Sequence, residues 1–159
     1  MESTEEFTED LGLALATFLL WPPMAGRVSA TLMASTEPLT LAELQDRLGA
    51  SVGSISEMTR LLQTTGVIRR IKTPGVRRAR FEWSPDAWDN CAQHFTQQMA
   101  DLRDLAARNS ERVGPAQPLL AHRLQEMERY YELMNSGIAE LAAAHRQLTH
   151  ATEAPTQHQ

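Results

Sequence analysis

At 159 residues the chain is long enough for one domain with an appended helical segment, and a core of that size needs no covalent staples. Its one cysteine, Cys91, excludes an internal disulfide and suits a reducing cytoplasm, and the longest apolar stretch, Leu11 to Pro23, is too short to span a membrane. The net charge of −5 argues against a uniformly basic nucleic-acid binder, yet six cations and no acid fall between Arg69 and Arg80, so the rest of the chain carries −11. Such a concentration serves either a local phosphate-contacting surface or a solvated basic face.

Ser3 or Thr4, ahead of Glu5 and Glu6, is a cap for a first helix that buries Phe7, Leu11, Ala14, Leu15, Phe18 and Leu19 at helical spacing. Trp21-Pro22-Pro23 interrupts it, and the prolines suit the first turn of a second helix reaching about Ser35, with Ala25, Val28, Leu32 and Met33 inward. Glu37-Pro38-Leu39 reads as a connector. Thr40 and Glu43 then have capping-box spacing for a helix that buries Leu41, Leu44 and Leu48 and stops at Gly49. Ser51 caps the next helix, whose predicted inner face is Val52, Ile55, Met58, Leu61 and Leu62, and Gly66 ends it. Two short helices across a tight turn make a helix-turn-helix.

Beyond Gly66 the period changes. Val67, Ile68 and Ile71 predict a strand, Pro74-Gly75 a turn, and residues 78–83 alternate Arg78, Arg80 and Glu82 against Ala79, Phe81 and Trp83. A basic two-stranded hairpin directly after a helix-turn-helix defines a winged helix. The remainder is helical. Trp88, Ala92, Phe95, Met99, Leu102 and Ala106 alternate spacings of four and three, as do Leu120, Leu124, Met127, Tyr131, Met134, Ile138, Leu141, His145 and Leu148. These are heptad stripes of helices crossing at small angles, the second roughly 42 Å long at 1.5 Å per residue. The predicted fold is therefore mainly α. It divides into an N-terminal helix for packing or dimerisation (residues 1–21), a winged helix-turn-helix (22–84), a long helical dimerisation hairpin (85–150) and a polar, disordered tail (151–159).

Five motifs in order carry a family resemblance from about Gly12 to Trp83. They are Pro23-Met-Ala-Gly-Arg27, Glu37-Pro-Leu-Thr-Leu-Ala-Glu-Leu44, Ser51-Val-Gly-Ser-Ile-Ser56, Gly66-Val-Ile-Arg-Arg70 and Pro74-Gly-Val-Arg77. Together they resemble the GbsR branch of the MarR superfamily. The resemblance implies a homodimer on a palindromic operator, acting as a repressor and responsive to a small-molecule effector. Two features depart from the pattern: Val76 stands where an acid often follows Pro-Gly, and the helices after residue 84 carry no motif to match.

The second helix of a helix-turn-helix enters the major groove of double-stranded DNA. Its predicted outward side offers Ser51, Gly53, Ser54, Ser56 and Arg60 to phosphates and base edges, with Glu57 among them. Arg77 and Arg78 beside the hairpin turn, supported by Lys72 and Arg80, are the candidates for the minor groove. Either Arg69 or Arg70 pairs with an acid such as Glu82 or Glu43. Arg27 either touches the backbone or orients the helix-turn-helix. Trp21, Trp88 and Tyr131 are candidates for an effector pocket or, more simply, core aromatics. The five histidines and Cys91 lack metal-ligand spacing, so no metal or cofactor is expected. His145 on the stripe is a partnered core histidine or a pH-sensitive dimer contact. With no Lys, Arg or His beside it in sequence, Cys91 reads as structural. No enzyme signature occurs. A winged helix used for protein–protein assembly, working through the helical hairpin, is the other reading of the same pattern.

Overall fold

The computed structural model describes residues 2–72 and 78–153. The elements are α1 (Glu2–Leu19), α2 (Pro23–Ala34), β1 (Leu39–Thr40), α3 (Leu41–Leu48), α4 (Val52–Thr65), β2 (Ile68–Ile71), β3 (Arg80–Trp83), α5 (Ala87–Val113), a 3-10 turn (Gly114–Ala116) and α6 (Pro118–Glu153). The chain is a mainly α winged helix-turn-helix followed by two long helices, and it forms two compact units that meet within α5, one ending at Asn90 and the other starting at Cys91.

In the first unit the core is built by Val28 and Leu32 of α2, Leu44 of α3, Ile55 and Leu62 of α4, and Val67 before β2, all with essentially no exposed surface. Each such side chain contributes about 1.5–3 kcal/mol by leaving water. Pro22 and Pro23 open α2 as expected. Its Ala25, Gly26, Val28, Ser29, Ala30, Thr31 and Leu32 are all buried, so α2 is the central helix of the unit. Met33 departs from its expected inward position and is exposed.

α1 also departs from the sequence expectation. Phe7 and Phe18 are 59% and 84% exposed, Ala14 is exposed, and Leu11, Leu15 and Leu19 are only half-buried. The buried residues are the small ones, Gly12 and Ala16. The reason is a close crossing: a Cβ added to Gly26 of α2 would lie 1.9 Å from the Gly12 carbonyl oxygen and 2.8 Å from the Ala16 Cβ. Glycine at both positions lets two backbones touch, and the larger apolar residues are left facing outward. Arg27 reinforces the same crossing, its Nε donating to Glu9 Oε2 at 2.6 Å.

The sheet has three strands where two were expected. β1 lies in the presumed connector and pairs antiparallel with β3, Leu39 opposite Phe81 and Thr40 opposite Arg80. β3 also pairs antiparallel with β2, giving the order β1-β3-β2 with Ile68 opposite Trp83 and Arg70 opposite Phe81. The predicted alternation in the hairpin is present, with Phe81 buried and Arg78 and Arg80 exposed, although β3 starts at Arg80 and not at Arg78.

α5 and α6 form the second unit from Cys91 onward. Arg103 of α5 bridges to Glu132 of α6 at 2.8 Å and to Asp104 at 2.8 Å, and these carboxylates hold its guanidinium even more firmly protonated than usual. Much of the α6 stripe stays uncovered: Leu141 is 71% and Leu148 69% exposed, and Leu120 and Met134 are also exposed. The helix continues to Glu153, past the expected start of the tail at Ala151, and residues 154–159 lie outside the described residues. Among the described residues no helix is long and apolar enough to cross a membrane. No three His, Cys, Asp or Glu side chains gather there as a metal site needs.

Candidate nucleic-acid interface

The geometry starts with the caps that fix α3 and α4. The Glu43 amide donates to Thr40 Oγ1 at 3.2 Å and the Thr40 amide donates back to Glu43 Oε2 at 2.7 Å, a complete capping box. Those Thr40 hydrogen bonds hold the Glu43 carboxyl below its ordinary value, helped by the nearby Arg80 and Arg47 charges. Gly49 closes α3 at φ 58°. Ser51 then caps α4, its Oγ accepting from the Ser54 amide at 3.2 Å. Gly66 closes α4 at φ 76°, and a Cβ there would meet the Asn90 Cβ at 2.6 Å. Asn90 Nδ2 donates to the Gly66 carbonyl at 2.9 Å and to Ser84 Oγ at 3.2 Å, tying the end of α4 to the exit of the hairpin.

Between α4, the start of α3 and the hairpin lies a groove of about 500 Å³. It is lined by Thr40, Leu41, Ala42 and Gln45, by Val52, Ser56, Thr59, Arg60 and Gln63 of α4, and by Arg70, Arg78, Ala79 and Phe81 of the hairpin. Three guanidinium groups line it and no carboxylate does. In a chain of net charge −5, that local excess of positive charge favours anions in the groove.

Of the candidate contacts named from sequence, Ser56, Arg60 and Arg78 come together in this groove. Ser51, Gly53, Lys72 and Arg80 are exposed outside its lining and Ser54 is half-buried. A Cβ on Gly53 would meet nothing closer than Ser51 Oγ at 4.0 Å, so the start of α4 is open. Arg77 and the Pro74-Gly75 turn lie outside the described residues. Arg69 makes the expected ion pair with Glu82, which sits directly across the ladder. That pairing leaves Arg70 for the groove.

Val52, Thr59 and Arg70 are among the groove residues that the sequence reading did not name as contacts. Val52, expected in the core, is 56% exposed, while Thr59 is buried at 2%. On a wheel of 100° per residue Val52 sits roughly 90° from the centre of the arc defined by Ile55, Met58, Thr59, Leu62 and Thr65, which places it at the edge. Arg70 shares strand parity with the buried Ile68 and faces the pair position of Phe81, and that parity was the signal available for it.

The aromatic candidates sit elsewhere. Trp88 meets Trp83 edge-on with centroids 5.4 Å apart, and Tyr131 meets Tyr130 in the same way at 5.3 Å. Trp21 is half-buried and its amide donates to the Ala16 carbonyl at 2.9 Å. None of the three lines the groove. Cys91 is buried, and desolvation pushes its thiol up, away from thiolate reactivity.

Comparison with known proteins matches residues 86–148 to the family model described as MmpR5-like MarR family transcriptional regulator. The HTH-type transcriptional regulator MmpR5 of Mycobacterium tuberculosis (strain ATCC 25618 / H37Rv) is 31% identical over 145 residues, covering 91% of this chain and 87% of that protein. A crystal structure titled only as a transcriptional regulator is 29% identical and superposes with a TM-score of 0.81, over 91% of this chain and 99% of its own. Wild-type apo MarR from E. coli, 15% identical over 92% of each chain, superposes at 0.42, too loosely to bear on the argument.

Proposed function

The chain belongs to the MarR family of winged-helix transcriptional regulators, and we propose that it represses transcription as a homodimer bound to a palindromic operator, with a small-molecule effector shifting its occupancy. The observation that carries this reading is the carboxylate-free groove with Arg60, Arg70 and Arg78 between α4 and the hairpin. Phosphates and base edges are the ligand that suits guanidinium groups set beside a helix with an open N-terminal turn. Arg77, Lys72 and Arg80 belong to the same contact through the wing, and Ser51, Gly53, Ser54 and Ser56 through the start of α4. Within the family, the ordered motifs between residues 12 and 83 support a GbsR-like winged-helix half. The protein works in the cytoplasm, where the operator is.

Dimerisation is supported by the apolar faces each unit leaves uncovered: Phe7, Phe18 and Leu20 on or just after α1, and Leu120, Met134, Leu141 and Leu148 on α6. Large apolar side chains left exposed along a helix are the kind of surface that a partner covers. A two-fold axis would set the two α4 helices one turn of duplex apart, about 34 Å. A winged helix used for protein–protein assembly through the helical hairpin is not favoured, since the relatives are named as transcriptional regulators.

The test is selection of bound fragments from random DNA, followed by affinity measurement across a salt series. A palindrome with half-sites one turn apart is expected. Arg78→Ala and Arg77→Ala should each reduce the salt slope by about 1.8, since a dimer loses two phosphate contacts at about 0.9 each. Slopes equal to wild type, or no enriched sequence, would refute the assignment.

A further inference from the structure

Val52 is an apolar side chain left 56% exposed at the first position of α4, in a groove whose other α4 residues are polar. Val52, Ser56 and Arg60 follow one another at intervals of four along the same side, one turn apart, and all three line the groove. The core does not need this valine, because Ile55, Met58 and Leu62 already fill it. Nothing crowds it either: Gly53 beside it has open space where a side chain would be. A β-branched residue in a helix is held in essentially one rotamer, so the isopropyl group is a fixed apolar point on an otherwise polar reading surface.

Resting on the functional reading above, we propose that Val52 is a specificity-determining residue that packs on the 5-methyl group of a thymine in each operator half-site. The occupant of the groove is duplex DNA, by complementarity with Arg60, Arg70 and Arg78. The first residues of α4 are those that come nearest the base edges. Of the features a base pair shows in the major groove, only the thymine methyl is apolar. Cytosine carries only hydrogen at C5, so the apolar contact is lost, and it shows the N4 donor where thymine shows the O4 acceptor. Ser56 and Arg60, one and two turns further on, then address polar positions, giving each half-site an apolar step followed by hydrogen-bonding ones.

The experiment uses the full-length protein and an operator selected by it, with each thymine replaced in turn by deoxyuridine, which lacks only the methyl group. Wild type should show one position per half-site where the replacement weakens binding about fourfold, and about fifteenfold when both half-sites are changed, on about 0.8 kcal/mol per buried carbon group. Val52→Ala, which changes both subunits, should bind the unmodified operator about fifteenfold more weakly and be indifferent to uracil at that position alone. Its thermal midpoint should match wild type, because the side chain is outside the core. If Val52→Ala keeps the uracil sensitivity of wild type at every position, or wild type has no methyl-sensitive thymine, the inference is overturned while the operator stands. Failure to select any operator would take down the functional reading and this inference together.

Discussion

Gly26→Ala adds one methyl group at the point where α1 and α2 touch, and its effect follows from the distances there. The new Cβ would stand 1.9 Å from the Gly12 carbonyl oxygen, 2.9 Å from its carbonyl carbon and 2.8 Å from the Ala16 Cβ. Ordinary contact begins near 3.4 Å, so the helices must part by about 1.5 Å. The obstructing atoms are mostly backbone, and no rotamer change relieves them. Overpacking of this kind costs about 1–3 kcal/mol, and here it falls at the upper end. Alanine returns about 0.5–1 kcal/mol of helix propensity. The net destabilisation is therefore about 2 kcal/mol, or a midpoint lowered by about 4–8 °C in thermal denaturation followed by circular dichroism. The matched control is Gly137→Ala on the exposed side of α6, where a Cβ meets nothing within 4 Å. The same substitution there should stabilise by about 0.5–1 kcal/mol. A Gly26→Ala protein as stable as wild type would refute the close crossing as the reason for glycine at both positions.

Two further substitutions test buried polarity and charge. Ser29 is wholly buried in α2 and its hydroxyl has no hydrogen-bond partner, so Ser29→Ala should stabilise by about 1 kcal/mol, visible as a midpoint raised by about 2–4 °C. A lower midpoint would mean the hydroxyl is satisfied in solution. The Glu43 carboxyl, held by Thr40, titrates in the folded chain below its ordinary value of 4.5. A depressed carboxylate contributes its stability above the unfolded value and loses it as pH falls through the folded one. The difference in urea midpoint between wild type and Glu43→Gln should thus be largest near neutral pH and shrink below about pH 4.5. A difference independent of pH would show that the hydrogen bonds matter and the charge does not.

Local chemistry explains which parts of this fold the sequence makes plain. Thr40 with Glu43, Ser51, Gly49 and Gly66 set helix ends through interactions within a few residues, and all lie where the caps were expected. The hairpin was legible because the buried Phe81 alternates with the charged Arg80 and Glu82, and an arginine–acid pair was expected there, though not which arginine or which acid. The long helices α5 and α6 were legible from their heptads. The misreadings of β1 and of α1 have one cause in common: both depend on contacts distant in sequence. β1 is two residues long and exists because Leu39 and Thr40 meet β3 some forty positions later. The orientation of α1 is set by Gly12 against Gly26, and glycine carries no hydrophobic signal. Val52 falls at the edge of the helical arc, where period alone cannot decide between core and groove, and hydrophobicity pointed the wrong way. Arg70 became a groove residue only once Glu82 had claimed Arg69.

The division of charge has a bearing on how such a regulator would discriminate among sequences. Sequence-independent affinity for DNA comes from phosphate neutralisation, and this chain places six of its fifteen cations in one short acid-free segment while the remainder sums to −11. At physiological salt, charges more than about 8 Å apart are largely screened, so the acidic bulk opposes binding mainly where it borders the contact. On the proposed reading, Arg60, Arg70 and Arg78, with the wing cations, would supply the electrostatic term, which does not depend on sequence. Discrimination among sequences would then rest on short-range terms that depend on fit, for which the proposed contacts of Val52, Ser56 and Arg60 are the candidates. Under that arrangement the exposed valine and the absence of further lysines serve the same end. Each raises the ratio of specific to non-specific binding, the quantity that matters when one operator competes with a whole genome.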